Sequence, residues 1–146
     1  MSSFVTTRGK ARRRAVDILF EADLRDIAVD EILRLRETAT DQVLNPLTRR
    51  LVYGVVERRE EIDEILATYA QGWTLDRMPN VDRAILRVGA WEILFGDPAD
   101  VPATVAVKEA TDIARELSTD DSPSFVNGLL GRIQKLSPSL GTDSSR

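Results

Sequence analysis

The 146 residues include no histidine and no cysteine. That removes the commonest general base, the thiolate nucleophile and every thiolate metal site. No glycine-rich loop of the phosphate-cradling kind precedes a helix. Carboxylates remain: Glu60 with Asp63 and Glu64, or Asp120 with Asp121, are the types that hold a divalent cation or work as acid and base. Acids grouped on a helix surface are ordinarily a solvated face, because charged side chains are seldom buried. The sequence therefore offers no catalytic residue and calls for no metal and no cofactor.

The basic residues carry more. Arg8, Lys10, Arg12, Arg13 and Arg14 stand in the first sixteen positions with no acid among them, a charge of +5. The net charge is −4, so the remainder of the chain sums to −9. A basic arm on an acidic body suits contact with a polyanion at one end, and argues against broad coating of nucleic acid. Arginines around a helix start can pair with successive phosphates. The ordinary alternative is a solubilising helix end, but no acid stands before Asp17 for local pairing. A helix-turn-helix DNA reader usually carries its cations on a later recognition helix. Composition alone does not separate RNA from DNA. Phe20 and Phe125 either stack on unpaired bases or pack in the core, which is the usual place of phenylalanine.

Helices must position these residues. The central one is VDRAILRVGAWEILFG, Val81 to Gly96, whose apolar side chains fall at every angle of a helical wheel. Such a helix is enclosed by others or spans a membrane, and its charges (Asp82, Arg83, Arg87, Glu92) reject the membrane. Gly89 sits in its interior, where glycine costs about 1 kcal/mol against alanine; close approach of a neighbouring helix backbone is the expected reason. Before it, helical spacing runs from Arg8 to Arg25 through Ala11, Ala15, Ile18, Leu19 and Ala22, then from Val29 to about Thr38. Asn45-Pro46 opens a third helix. Ile62, Ile65, Leu66 and Tyr69 make a fourth, or a bent continuation, that Gly72 ends. After a connector from Trp73 to Asn80 and the central helix, Pro102 and Ser122-Pro123 open two more, the last reaching Leu136. No strand candidate survives, and on this parse no proline interrupts a helix. The expectation is one all-α domain over residues 8–136, with disordered ends at 1–7 and 137–146. With no signal-peptide run and no cysteine, a soluble cytoplasmic protein is expected.

Four strings then become recognisable: ARRRAVDILFEAD from Ala11, LVYGVVERREEID from Leu51, WTLDRMPNVDRAILRVGAWEIL from Trp73, and VAVKEATDIARELSTDDSPSFVNGLLGRI from Val105. In this order, from about Arg8 to Ile133, they resemble the NusB family of transcription antitermination factors. The resemblance implies two three-helix bundles sharing one core, about seven helices in all. It implies a heterodimer with the ribosomal protein NusE, and binding of single-stranded boxA RNA in ribosomal RNA leaders. It further implies entry into the RNA polymerase elongation complex with other Nus factors. Members differ in self-association, so a homodimer stays open. A similar domain precedes the catalytic domain of some RNA cytosine methyltransferases, which leaves an accessory RNA-binding module as one alternative; a self-associating helical scaffold, resting on surface-exposed apolar residues, is the other.

By motif position, the resemblance makes Arg8, Lys10, Arg12, Arg13 and Arg14 RNA contacts. It sets Phe20, Asp121 and Phe125 at the RNA edge and Asp82, at the head of the central helix, on the NusE side. Phe20 departs from the tyrosine of many relatives, so a phenol hydrogen bond is absent and only stacking is left. Lys108 replaces a frequent asparagine and Gly131 a frequent aspartate, while Arg13 and Arg14 exceed the usual local basic count.

Overall fold

The computed structural model describes residues 7–40 and 44–144, with side chains at 7–37 and 44–137. Seven α-helices follow one another: α1 (Thr7–Arg25), α2 (Val29–Thr40), α3 (Pro46–Glu57), α4 (Arg59–Tyr69), α5 (Asn80–Phe95), α6 (Ala103–Leu117) and α7 (Ser122–Ser144). A 3-10 turn, Leu75–Arg77, lies in the connector between α4 and α5, and no strand occurs among the described residues. The expected disordered start falls on residues outside those described, except Thr7, which already belongs to α1.

Helix starts follow local chemistry. The Asn45 side chain accepts the Leu47 N–H at 2.8 Å and Pro46 takes the first helical position, so α3 begins where the cap and the ring both require it. A single residue, Arg58, separates α3 from α4, so the fourth helix is a bent successor of the third. Gln71 and Gly72 then turn the chain with positive φ angles of 52° and 94°. Glycine takes that region without strain.

The helix α5 is the axis of the molecule. It contacts α1, α3, α4, α6 and α7, and Ile85, Leu86 and Ala90 are wholly buried within it. The helix α1 packs on α2 and α3 as well as on α5, while α6 and α7 pack on each other and on α5. A Cβ added to Gly89 would stand 2.6 Å from Leu130 Cδ1 and 3.3 Å from Ala110 Cβ. The close neighbours are thus side chains of α7 and α6 rather than bare backbone. Gly54 does the same for Trp91, whose Cε2 lies 2.4 Å from where its Cβ would be.

One boundary is corrected. The helix α7 runs to Ser144, through Pro138, where the sequence pattern ends it at Leu136. A proline inside a helix leaves the carbonyl four residues back without its N–H. That carbonyl belongs to Gln134, and the Ser137 hydroxyl donates to it at 2.8 Å, so the helix passes the proline with the acceptor satisfied.

Enclosure of α5 predicts a stability effect at its glycine. Gly89→Leu should lower the unfolding free energy by about 1–3 kcal/mol through overpacking against Leu130 and Ala110. Urea unfolding followed by circular dichroism measures it, and a change within about 0.5 kcal/mol, the range of surface substitutions, would contradict the packing described.

Candidate nucleic-acid interface

Helical geometry divides the basic arm. Successive residues point about 100° apart, so positions 10, 13, 14 and 17 share one face of α1 while 11, 12, 15 and 16 share another. Lys10, Arg13 and Arg14 are exposed; Ala11, Arg12, Ala15 and Val16 are buried. With Asp17, and with Glu116 from the last turn of α6, the outward cations line an open groove of about 330 Å³. Arg8, one turn earlier, reaches the α5–α6 loop, where its Nη2 donates to both carboxylate oxygens of Asp100, at 3.0 and 3.1 Å. Its side chain remains 48% exposed. Exposed pairs of this kind contribute about 0–1 kcal/mol, so a phosphate can compete for Arg8.

Arg12 is the first correction to the expected site. It is 3% exposed. Its Nε and Nη2 donate to the two carboxylate oxygens of Glu92 at 2.8 and 3.1 Å, and its Nη1 donates to Glu109 at 3.1 Å. One guanidinium therefore ties α1 to α5 and α6 and has no face left for RNA.

Asp82 is the second. It is 3% exposed, and its Oδ2 accepts the Ser122 hydroxyl at 2.8 Å. The same hydroxyl lies 2.9 Å from Ser118 Oγ and 3.0 Å from Thr119 Oγ1. Asp82 Oδ1 is buried with no partner. The carboxylate thus pins the acidic loop, residues 118–121, to the head of α5 instead of standing on a partner-facing surface. An acid in the first turn of a helix also meets the positive end of the helix dipole, which offsets part of the cost of burying it.

The remaining edge residues separate. Asp121 is exposed, and its backbone carbonyl accepts the Phe125 N–H at 3.2 Å in the first turn of α7. Phe20 and Phe125 are both partly buried against the core, a state between the two alternatives open in the sequence. The Phe125 ring meets Trp73, with centroids 5.9 Å apart and planes tilted by 57°. Trp73, in the connector, was not among the expected site residues. Among the clustered acids, Asp63 accepts two bonds from Arg87 at 2.8 and 3.0 Å. Among the described residues no group of three or more acids is placed to hold a metal ion.

Three groups with shifted protonation lie elsewhere. Hydrogen bonds from Arg25, then Arg36, hold the Glu21 carboxyl below its ordinary range. The hydrogen bond to Asp30 raises the Tyr53 phenol, and the bond to Asp112 raises the Lys108 ammonium.

Burial of the Arg12 pair reverses what an RNA contact would show. Removing one partner of a buried pair leaves an uncompensated charge and typically costs about 3–5 kcal/mol. Arg12→Ala should therefore destabilise the fold by that order in chemical unfolding, whereas Arg13→Ala should stay within about 0.5 kcal/mol, as surface changes do. Equal stability of the two variants would contradict the buried role.

The comparisons with known proteins agree with this architecture. The model of the NusB family matches residues 9–135. The transcription antitermination protein NusB of Arthrobacter sp. (strain FB24) is 58% identical over 136 residues, covering 93% of this chain and 98% of that protein. Its counterpart from Thermobifida fusca is 53% identical, covering 92% and 93%. Among solved structures, T. maritima NusB superposes with a TM-score of 0.79 at 32% identity, covering 94% of this chain and 98% of that one. A structure of antitermination factors NusB and NusE in complex with double-stranded RNA gives a TM-score of 0.75 at 25% identity, covering 89% and 98%. By the match along nearly its whole length, the chain belongs to the NusB family.

Proposed function

We propose that the chain is a transcription antitermination factor that, with NusE, binds single-stranded boxA RNA of ribosomal RNA leaders. The complex then joins the elongating RNA polymerase with other Nus factors and suppresses premature termination. The observation that carries this reading is the outward stripe of Lys10, Arg13 and Arg14 at the start of α1, set in a chain of net charge −4. Relatives bearing the antitermination name, and a solved complex of NusB and NusE with RNA, support it. The protein acts by binding, without turnover, in the cytoplasm. No helix among the described residues is long and apolar enough to cross a membrane.

The roles divide by chemistry. Lys10, Arg13, Arg14 and the displaceable Arg8 hold phosphates, which position a strand and carry no sequence. Phe20, Asp121 and Phe125 supply discrimination among bases, together with NusE. Asp82 acts on this edge only through Ser122 and the loop it holds.

The test is RNA binding by the full chain, with and without purified NusE, on boxA and a scrambled strand. NusE should raise affinity for boxA above that for the scrambled strand; equal affinity for both would contradict the reading. Each phosphate contact to a single strand contributes about −0.7 to the log–log salt slope. Replacing Lys10, Arg13 and Arg14 with alanine should therefore flatten the slope by about 2 and weaken both RNAs alike. An unchanged slope would remove the stripe from the interface. Asp121→Asn relieves repulsion of phosphate and keeps an acceptor, so binding should hold or tighten. A several-fold loss with the fold intact would remove the acidic loop from the RNA edge.

A further inference from the structure

We propose that Trp73 is a base-stacking residue of the RNA surface, forming with Phe125 an aromatic platform for an unpaired nucleobase. The proposal rests on the RNA-binding reading above.

Trp73 is 54% exposed, although tryptophan is on average one of the more buried residues. One part of the indole meets the Phe125 ring in a tilted contact, and much of the rest is open. The residues around it in sequence, Gln71, Gly72, Thr74, Asp76 and Arg77, are exposed and mostly polar or charged. A protein hot spot needs an apolar patch that excludes water around its anchor. An aromatic face among polar neighbours suits a flat base, because every base has a π-face.

The platform is held rather than floppy. On one side Arg132 Nε donates to the Tyr69 carbonyl at 3.1 Å; on the other, Arg83 Nη1 donates to the Leu75 carbonyl at 2.8 Å. The connector is thus pinned four residues before Trp73 and two after it, so little ordering remains to be done on binding. Gly128 lies one turn along α7 from Phe125, and a Cβ there would meet only the Arg132 guanidinium, 3.6 Å away. The bare backbone at Gly128 leaves room for a strand to pass beside Phe125. The platform also continues the proposed RNA edge, since Phe125 is bonded through its N–H to the Asp121 carbonyl.

The experiment uses the full chain with NusE, boxA, a scrambled strand of equal length and a duplex of the boxA sequence. Trp73→Ala should weaken both single strands by about five- to a hundred-fold. The salt slope should not change, because stacking releases no counterions, and the thermal midpoint should remain that of the parent. Trp73→Phe should restore most of the affinity. Single strands should quench the parent's tryptophan emission, the duplex should quench it less, and the quenching should vanish in Trp73→Phe, which keeps Trp91 and still binds. That last measurement decides the matter even if the alanine variant folds poorly. RNA affinity unaltered in Trp73→Ala overturns the proposal, as does a loss confined to NusE affinity, which would make Trp73 a protein contact. A parent chain with no RNA affinity, alone or with NusE, overturns the RNA reading itself, an outcome distinct from a parent that binds and a variant that binds equally.

Discussion

A guanidinium taken out of water must be met by acceptors in its own plane, and Arg12 meets two carboxylates at once. The pair with Glu92 is bidentate, the strongest geometry available to arginine, and Glu109 accepts from the nitrogen left over. Desolvation opposes such a cluster, so its net contribution to stability is small even though breaking it is costly. What it supplies is definition. Fixing Arg12 between α5 and α6 sets the rotation of α1 about its axis. Lys10, Arg13 and Arg14 then have to point outward along one stripe. A helix held only by Ala11, Ala15 and Ile18 could settle at neighbouring rotations with little penalty, and the outward cations would not keep one register.

The same logic extends along α5. Its polar residues face inward or sideways, and between them they reach α1, the connector, α4 and α7. Asp82 accepts from Ser122 at the start of α7. Arg83 bonds the Leu75 carbonyl in the connector and Asp23 of α1. Arg87 reaches Asp63 of α4 and Asp23 of α1, and Glu92 takes Arg12. The apolar side chains between them hold the packing, and directional bonds fix which surface each neighbour turns outward. The basic stripe, the acidic loop and the connector that bears Trp73 are all registered to this one helix.

Much of this was legible in the residues, and the two site residues found buried share one feature, a partner far away in sequence. An all-apolar wheel identified α5 as the enclosed helix, Asn45-Pro46 marked the start of α3, and Gly89 marked a close approach. These signals are local. Arg12 was grouped with the RNA contacts because no acid stands near it in sequence; its partners lie 80 and 97 residues away. Yet a clue was present, because Arg12 lies three and four residues before Ala15 and Val16, on the core face. Asp82 was set on the NusE side by the resemblance, and the hydroxyl it binds lies 40 residues on. Trp73 read as mere connector, since nothing local tells an exposed tryptophan from a buried one. The run through Pro138 escaped because a serine one residue earlier supplies the missing donor.

The acidic balance of the chain bears on how a few cations can act selectively. A protein of uniformly basic surface gains most of its affinity from counterion release and binds any polyanion. Here the outward cations share their groove with Asp17 and Glu116, and exposed Asp120 and Asp121 stand on the loop that follows α6. Those carboxylates repel a phosphate placed off the stripe, at distances below the screening length of about 8 Å at physiological salt. The electrostatic term is then small and confined to one track, so contacts to bases make up a larger share of the total. For the proposed function that division favours discrimination over affinity. The chain alone would hold RNA weakly, and a second protein contributing its own contacts would lift one sequence above the rest.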